Sequence, residues 1–532
     1  MKLIPRSRAG MLVRFALAAF LVIGAVSATT AVGGLLQFKQ IATYLSVTPA
    51  LPHARVTIPN PGSPQTILLI GSDHRAGEPF ADANTDTMML VRMDPSSSTI
   101  NLLSVPRDLE VQIPEGGGMA TDKLNSAYSI GGDNLLVKIL QSQVFPGLQV
   151  NHIIDVNFSG FEDLVSAIGC VYTDVDHRYY NNTAVTDYSS IDIQPGYQKL
   201  CGSDALAFVR FRHTDDDLVR NARQQDFLRW AKEQFTQDQI IEDRDSLLKI
   251  FGAHAQTDQN LHTTDGLINL FNLVAFSAGH TIKQIQFPAV LLPCAPAPTN
   301  ANSSTQQTPC YVTAQSGAEQ QAYHAFMTPT TSPPPSSSST STTSTSSSAT
   351  PAGAGKGKGG GAGAPGLSAD VGDGVSQAKA LGPIGIPIYY PKLIVSGAQY
   401  CTPSNGNCPL GDGNAAAQDG IAAGYPRAYL LHDRTGIAHY SYYMTIEINS
   451  VLGEYYGVQG TTWQNPPILG DPTATKTVNG KVLDLYANGG KLSLVVWHTA
   501  QGVYWISNTL TASIGNRQMV AMAASLTRAG GA

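Results

Sequence analysis

Between Pro329 and Pro365 the chain runs through PPPSSSSTSTTSTSSS and then GKGKGGGAGAP. Such a composition buries too little apolar surface to offset the entropy of ordering it. The tract therefore divides the 532 residues into two parts, each of which needs a core of its own. The linker is drawn from 294 to 381, with the low-complexity run near its centre.

The amino terminus constrains location. Lys2, Arg6, Arg8 and Arg14 precede an uncharged stretch from Phe15 to Phe38, longer than the ~20 residues that span a bilayer. Residues 1–14 then form a cytoplasmic tail, 15–38 a signal-anchor transmembrane helix and 39–65 an extracytoplasmic stalk. Val26-Ser27-Ala28 also fits a signal-peptidase site, so a cleaved peptide is the alternative; either way the remainder is exported. The six cysteines fall as Cys170 with Cys201, Cys294 with Cys310 and Cys401 with Cys408. Three local disulfides are the simplest assignment among fifteen connectivities, and an oxidising compartment accommodates them. A net charge of -6 argues against broad nucleic-acid binding.

Basic residues are scarce, 33 in all, yet Arg210, Arg212, Arg220 and Arg223 fall close together. Arg220, Arg223 and Gln224 stand at i, i+3 and i+4, the spacing of one helix face, with Asp217 at the start. The alternation in AFVRFRH predicts a strand that presents Arg210 and Arg212 on the side opposite Val209 and Phe211. A strand feeding a helix would converge these guanidiniums on one anion, and arginine's planar fork suits phosphate oxygens. The plainer reading is a solvated charged helix after an edge strand.

A second polar cluster lies upstream. TILLIGSDHR reads as a buried strand ending in Asp73 and Arg75, and NTDTMMLVRMD sets Asp86 at the start of another. Two carboxylates at neighbouring strand ends can share a hard divalent cation, Mg2+ or Mn2+, whose remaining ligands a diphosphate would supply. INLLSVPRDLEVQIP adds a third strand that breaks at Pro106 into Arg107 and Asp108. Charged residues at the ends of three strands are the pattern of an α/β site.

Taken in order, GSDHR, NTDTMML, SVPRD, DKLNSAY with IGG, FSGFEDLVSAIGC, GYQKLCGSDALAFVRFRH and DLVRNARQQ resemble the LytR-CpsA-Psr family of cell-envelope glycopolymer transferases, over Thr66 to Phe235. The resemblance implies an α/β fold, an α-β-α sandwich with a mixed central sheet, over 66–293. It also implies an activity: transfer of a glycopolymer phosphate unit from a polyprenyl-diphosphate carrier to peptidoglycan. Carried over by motif, Asp73 and Asp86 are the Mg2+ ligands. Arg75 and Arg107 clasp the diphosphate from one side, Arg210, Arg212, Arg220 and Gln224 from the other. Arg223 either contacts phosphate or braces the helix. Asp217 orients an arginine, caps the helix or acts as general base, and Lys123 with Asn125 orders the loop beside the substrate. Family members often carry an arginine just ahead of the second Asp, where this chain has Asn84 and Thr85, so one phosphate contact is expected to be missing.

Helix-period apolar positions in Asn134–Phe145 and Phe161–Gly169 would pack on the sheet, and in this family such helices also enclose the prenyl chain. Beyond the linker, YPRAYLLHD, HYSYYMTIEI, KVLDLYANGGKLSLVVWHTAQGVYWISN and MVAMAASL predict strands, hairpins and a short helix, a smaller α+β domain over 382–526. Trp497, Tyr504 and Trp505 are either its core or sugar-stacking residues. No Ser-His-Asp or Cys-His arrangement is visible, which favours direct phosphoryl transfer. Two other classes stay open: non-catalytic binding or sensing of polyprenyl-diphosphate lipids, and their hydrolysis by a pyrophosphatase.

Overall fold

The computed structural model describes residues 43, 48–51, 55–74, 84–181, 190–211, 217–234, 244–277, 279–292, 311–315, 317–330, 365–402, 408 and 425–530. The predicted span at 15–38 and the pair Cys294 and Cys310 lie outside them. No helix among the described residues is long and apolar enough to cross a membrane.

Six strands form the central sheet: β1 (Gln65–Ser72), β2 (Thr85–Met93), β3 (Thr99–Ser104), β4 (His152–Asn157), β5 (Ala255–Thr257) and β6 (Thr281–Ile285), in the order β5-β4-β1-β2-β3-β6. β1 pairs with β4 and β3 with β6 in parallel; β1–β2, β2–β3 and β4–β5 are antiparallel, so the sheet is mixed. Both faces are covered, because apolar residues occupy both sides of each central strand. Leu68 and Ile70 of β1, with Met88, Leu90 and Leu103, pack under helix α1 (Leu124–Ile139), whose Leu136 and Val137 are buried, and against Phe145. Ile67, Met93 and Leu273 pack on the opposite face, as do Met89, Leu102 and Ile282. α1 is not continuous: Gly132 has φ 61°, a left-handed value that glycine tolerates, and the helix breaks there. Helix α2 (Phe158–Ala167) differs from expectation. Its Phe161 and Val165 belong to a separate apolar cluster, Phe161 meeting Phe227 at 5.7 Å between ring centroids.

Two corrections concern secondary structure. AFVRFRH was expected to be a strand, but α3 (Gly202–Arg210) is a helix. It follows directly on Cys201, which is bonded to Cys170, and its buried Ala205, Phe208 and Val209 obey helical spacing as well as the local alternation did. α4 (Asp217–Gln234) follows. The linker drawn over 294–381 is too wide at both ends. Strand Val312–Ala314 pairs with Ala289–Leu291, and helix Ala318–Met327 buries Ala322, Tyr323 and Phe326 in the first core. Strand Leu367–Ala369 pairs with Leu393–Val395, and helix Val371–Leu381 packs Ala378 and Leu381 into the second core. The residues between 331 and 364 lie outside the described ones.

The second unit is built on an antiparallel sheet whose centre comprises β7 (Ala438–Asn449), β8 (Glu454–Thr461), β9 (Lys481–Asn488), β10 (Lys491–Thr499) and β11 (Gly502–Ser507), in the order β7-β8-β11-β10-β9. Helix α5 (Asn516–Ala524) packs its methionines 519 and 522 onto it. Trp497 pairs across the strands with Tyr504, and Tyr504 and Trp505 are fully buried, so the aromatics are core. The two units share an interior. Leu494, Val496, Val503 and Trp505 pack in one cluster with Val171, Tyr197, Phe208 and Trp230 of the first unit. Tyr197 N–H donates to Gln459 at 3.1 Å, and Ile468 N–H donates to the Tyr197 hydroxyl at 3.0 Å.

An indole removed from this shared core leaves a cavity on both sides of the junction. Trp505→Ala is therefore expected to lower stability by about 3 to 5 kcal/mol in urea unfolding. Near-ultraviolet circular dichroism and amide exchange in Val171–Val175 should report the loss in the first unit at the same denaturant concentration.

Candidate anion site at the strand ends

The β1–β2 corner builds the first half of the site. Asp73 follows β1 and its Oδ1 accepts the Asn84 N–H at 2.5 Å, while Asp73 N–H donates to Asn84 O at 3.2 Å, which closes the strand ends together. Asp86 enters two residues later, and its two oxygens are divided between two guanidiniums. Arg107 Nη1 donates to Oδ1 at 2.5 Å and Arg210 Nε to Oδ2 at 2.7 Å. Burial works to raise the Asp86 carboxyl, but Arg210, Arg220 and Arg107 together hold it below the usual carboxylate range. Arg107, Arg210 and Arg220 converge on this one carboxylate, and guanidiniums fixed in this way are groups suited to phosphate oxygens.

The other half is braced from α4. Asp217 accepts the Arg107 backbone N–H at 2.9 Å on Oδ2 and the Arg220 guanidinium on Oδ1. Both oxygens are engaged and the residue is 3 % exposed; it positions two arginines, and the general-base option carried for it is set aside. Arg220 is buried and Arg107 partly so, whereas the Arg210 side chain is 38 % exposed and lies over the Phe158 ring at 3.8 Å. Arg210 is thus the accessible member of the group. Arg212 and Arg75 lie outside the described residues.

Gln224 does not join the phosphate-facing set as expected, and of the two roles open to Arg223 it takes the bracing one. Arg223 is fully buried and donates to the carbonyls of Phe208 and Phe211 at 3.1 and 2.8 Å, with its guanidinium 4.5 Å above the Tyr179 ring. Gln224 donates to Val209 O at 3.1 Å. The reason is the helix end that the strand expectation overlooked: the last carbonyls of α3 lack intrahelical partners and need donors. Lys123 and Asn125 face the loop after β3. Lys123 Nζ is 3.1 Å from Asp108, and Asn125 N–H donates to Arg107 O at 3.0 Å.

Beside this corner lies a polar cluster that the sequence reading did not weigh. Asp155 on β4 accepts from Ser72 Oγ at 2.7 Å and from the Tyr128 hydroxyl on α1. Burial dominates these bonds and pushes the Asp155 carboxyl up to about 6, and it does the same to Asp133. The one hint available was an acid within the apolar run HIIDV. No group of three or more metal-ligating side chains occurs among the described residues.

A carboxyl raised in the folded state keeps its proton longer than in the unfolded chain, so folding is favoured below about pH 4 and loses that contribution as pH climbs to about 6. Urea midpoints recorded across pH 4 to 6.5 should fall by on the order of 2 kcal/mol equivalent in the wild type, and by less in Asp155→Asn. A profile identical in both chains would remove Asp155 as the cause.

Comparisons with known proteins identify the family. The LytR_cpsA_psr family model matches residues 39–324. The polyisoprenyl-teichoic acid–peptidoglycan teichoic acid transferase TagT of Bacillus subtilis (strain 168) is 30 % identical over 205 residues, 38 % of this chain and 62 % of TagT. TagV of the same organism, named for the same activity, is 28 % identical over 224 residues, 42 % of this chain and 55 % of TagV. The probable cell wall biosynthesis protein LcpB of Corynebacterium glutamicum is 35 % identical over 173 residues, 30 % of this chain and 39 % of LcpB. The matched segment thus spans less than two thirds of each relative's own length. Among solved structures, TagT bound to LIIa-WTA is 24 % identical, with 51 % of this chain and 93 % of that chain covered, at a TM-score of 0.37. With more than half of its length matched by the family model, this chain belongs to the LytR-CpsA-Psr family.

Proposed function

We propose that this chain transfers a glycopolymer phosphate unit from a polyprenyl-diphosphate carrier to peptidoglycan. The observation that carries the reading is Asp86 clamped between Arg107 and Arg210 with Arg220 behind them. Relatives named as teichoic acid transferases support the class of reaction.

In the proposed reaction an acceptor sugar hydroxyl attacks the phosphorus next to the glycan. A new phosphorus–oxygen bond forms, the bond to the bridging oxygen breaks, and prenyl monophosphate leaves with the electron pair while the hydroxyl proton passes to solvent. Negative charge grows on the nonbridging oxygens and on the leaving phosphate. Guanidiniums already fixed in place stabilise that charge without reorganising during the step. Arg210, the accessible one, would meet the substrate first; Arg107 is set by Asp217 through its backbone and by Asp86 through its side chain.

Asp73 and Asp86 offer the oxygen donors a hard divalent cation takes, and each Asp86 oxygen keeps a lone pair beyond its arginine contact. Mg2+ or Mn2+ arriving with the diphosphate would be held there and would neutralise part of the charge on the transferring group. The reaction is placed outside the membrane. The uncharged stretch from Phe15 to Phe38 after a basic tail supports this, as do the disulfides Cys170–Cys201 and Cys401–Cys408.

The test is a purified full chain incubated with a short polyprenyl-diphosphate-linked oligosaccharide, Mg2+ and peptidoglycan fragments, with acceptor mass and prenyl monophosphate both followed. Phosphosugar on the acceptor is expected. In Arg210→Ala the kcat/KM should fall at least a hundredfold with the chain still folded, the unfolding midpoint moving only by what the lost Asp86 and Phe158 contacts contribute. Chelation of divalent ions should suppress turnover and excess Mg2+ restore it. Lipid retained intact would favour a binding protein, and phosphate released without an adduct would favour hydrolysis.

A further inference from the structure

Phe158 is an aromatic residue without a core. It is the first residue of α2 and only half-buried. Among the described residues it joins none of the apolar clusters, whereas Phe161, three residues on, packs against Phe227. Its ring instead lies under the Arg210 guanidinium, 3.8 Å from the centroid.

The local sequence fixes the ring in that place. β4 ends at Asn157, which stands opposite Ser72 in the register with β1, one residue before Asp73. Asn157 then caps α2: its Oδ1 accepts the Gly160 N–H at 2.9 Å and the Ser159 hydroxyl at 3.0 Å, which holds the backbone on both sides of Phe158. Gly160 lets this end of α2 press against His254, because a Cβ there would collide with the His254 side chain. His254 Nε2 is in turn 3.3 Å from Asp163 of the same helix.

Arg210 is held from its other sides. Asp86 accepts from its Nε at 2.7 Å, and Arg223 fastens the end of α3 that carries it. Its two terminal nitrogens make no hydrogen bond among the described residues. With Nε and one face engaged, the guanidinium keeps the two-pronged edge that suits phosphate oxygens. A ring beneath the cation and a carboxylate at Nε restrict a flexible side chain to one plane, so less freedom is lost when an anion binds.

We propose that Phe158 is a positioning residue, its ring setting the plane of the Arg210 guanidinium so that the two terminal nitrogens engage phosphate oxygens of the donor. Bulk alone would not serve, since a leucine fills similar space but offers the cation no negative face. The identity of the donor rests on the transferase reading; the coupling of Phe158 to Arg210 in anion binding does not.

The experiment replaces Phe158 in the full chain by phenylalanines carrying one, two and three ring fluorines, which keep the shape and progressively weaken the negative face. Inorganic diphosphate binding is measured by calorimetry, and kcat and KM with the lipid-linked oligosaccharide. Affinity and kcat/KM are expected to fall stepwise, about tenfold across the series, with the chain folded throughout. Phe158→Leu should match the trifluorinated chain and Phe158→Tyr the wild type. In Arg210→Ala the residual affinity should be the same across the series. A flat series in the wild type, an equal slope in Arg210→Ala, or a wild-type chain that binds no diphosphate would each overturn the proposal. Diphosphate binding is read without turnover, so a stepwise fall in affinity with no sugar phosphate transferred would remove the transferase reading and leave this proposal standing. Transfer by the wild type with a flat series would do the reverse.

Discussion

One carboxylate held by three arginines organises this molecule. Asp86 sits at the start of β2, Arg107 in the loop after β3, Arg210 at the end of α3 and Arg220 in α4. These are four separate elements, and like charges of this density would push them apart if Asp86 were removed. The sheet order places β2 and β3 side by side; α3 and α4 are brought to the same corner by their own packing. The site is therefore as much a fastening as a binding surface.

A second tier of contacts fixes the first. Asp217 holds Arg107 through its backbone and Arg220 through its side chain. Lys123, drawn to Asp108, and Asn125, bonded to Arg107 O, hold the same loop from α1. Arg223 and Gln224 fasten the end of α3, which carries Arg210. Several charged side chains thus act on the site without facing it.

Strand patterns were legible in the apolar runs β1, β2 and β3 but not in β4, whose His152 and Asp155 break the run. β1, β2 and β3 read as apolar runs ending in charge, and the hairpin of β10 and β11 read from alternation around Gln501-Gly502. AFVRFRH misled because Phe208, Val209 and Phe211 are apolar at positions that satisfy two periods at once, and a short segment cannot separate them. Gln224 misled for a linked reason, and Arg223 stayed open for it: without a helix end at Arg210 there were no orphan carbonyls to claim them. AEQQAYHAFM was absorbed into the linker because its apolar content is modest, yet Tyr323 stacks on Phe145 at 5.3 Å and Phe326 is fully buried. Long-range partners such as these, and the Asp155–Tyr128–Ser72 cluster, leave no local signal.

The docking of the two units changes what the low-complexity tract has to do. Helix Ala318–Met327 precedes it and strand Leu367–Ala369 follows it, and these are anchored in two units joined by a third, shared cluster. Its length is then nearly free to drift. Closing a loop between fixed points costs only about 0.6 kcal/mol for each doubling of its length, so repeats of serine, threonine or glycine can be gained or lost there with little effect on how the two units meet. Selection on this chain would accordingly be expected to act on the interface and hardly at all on the tether.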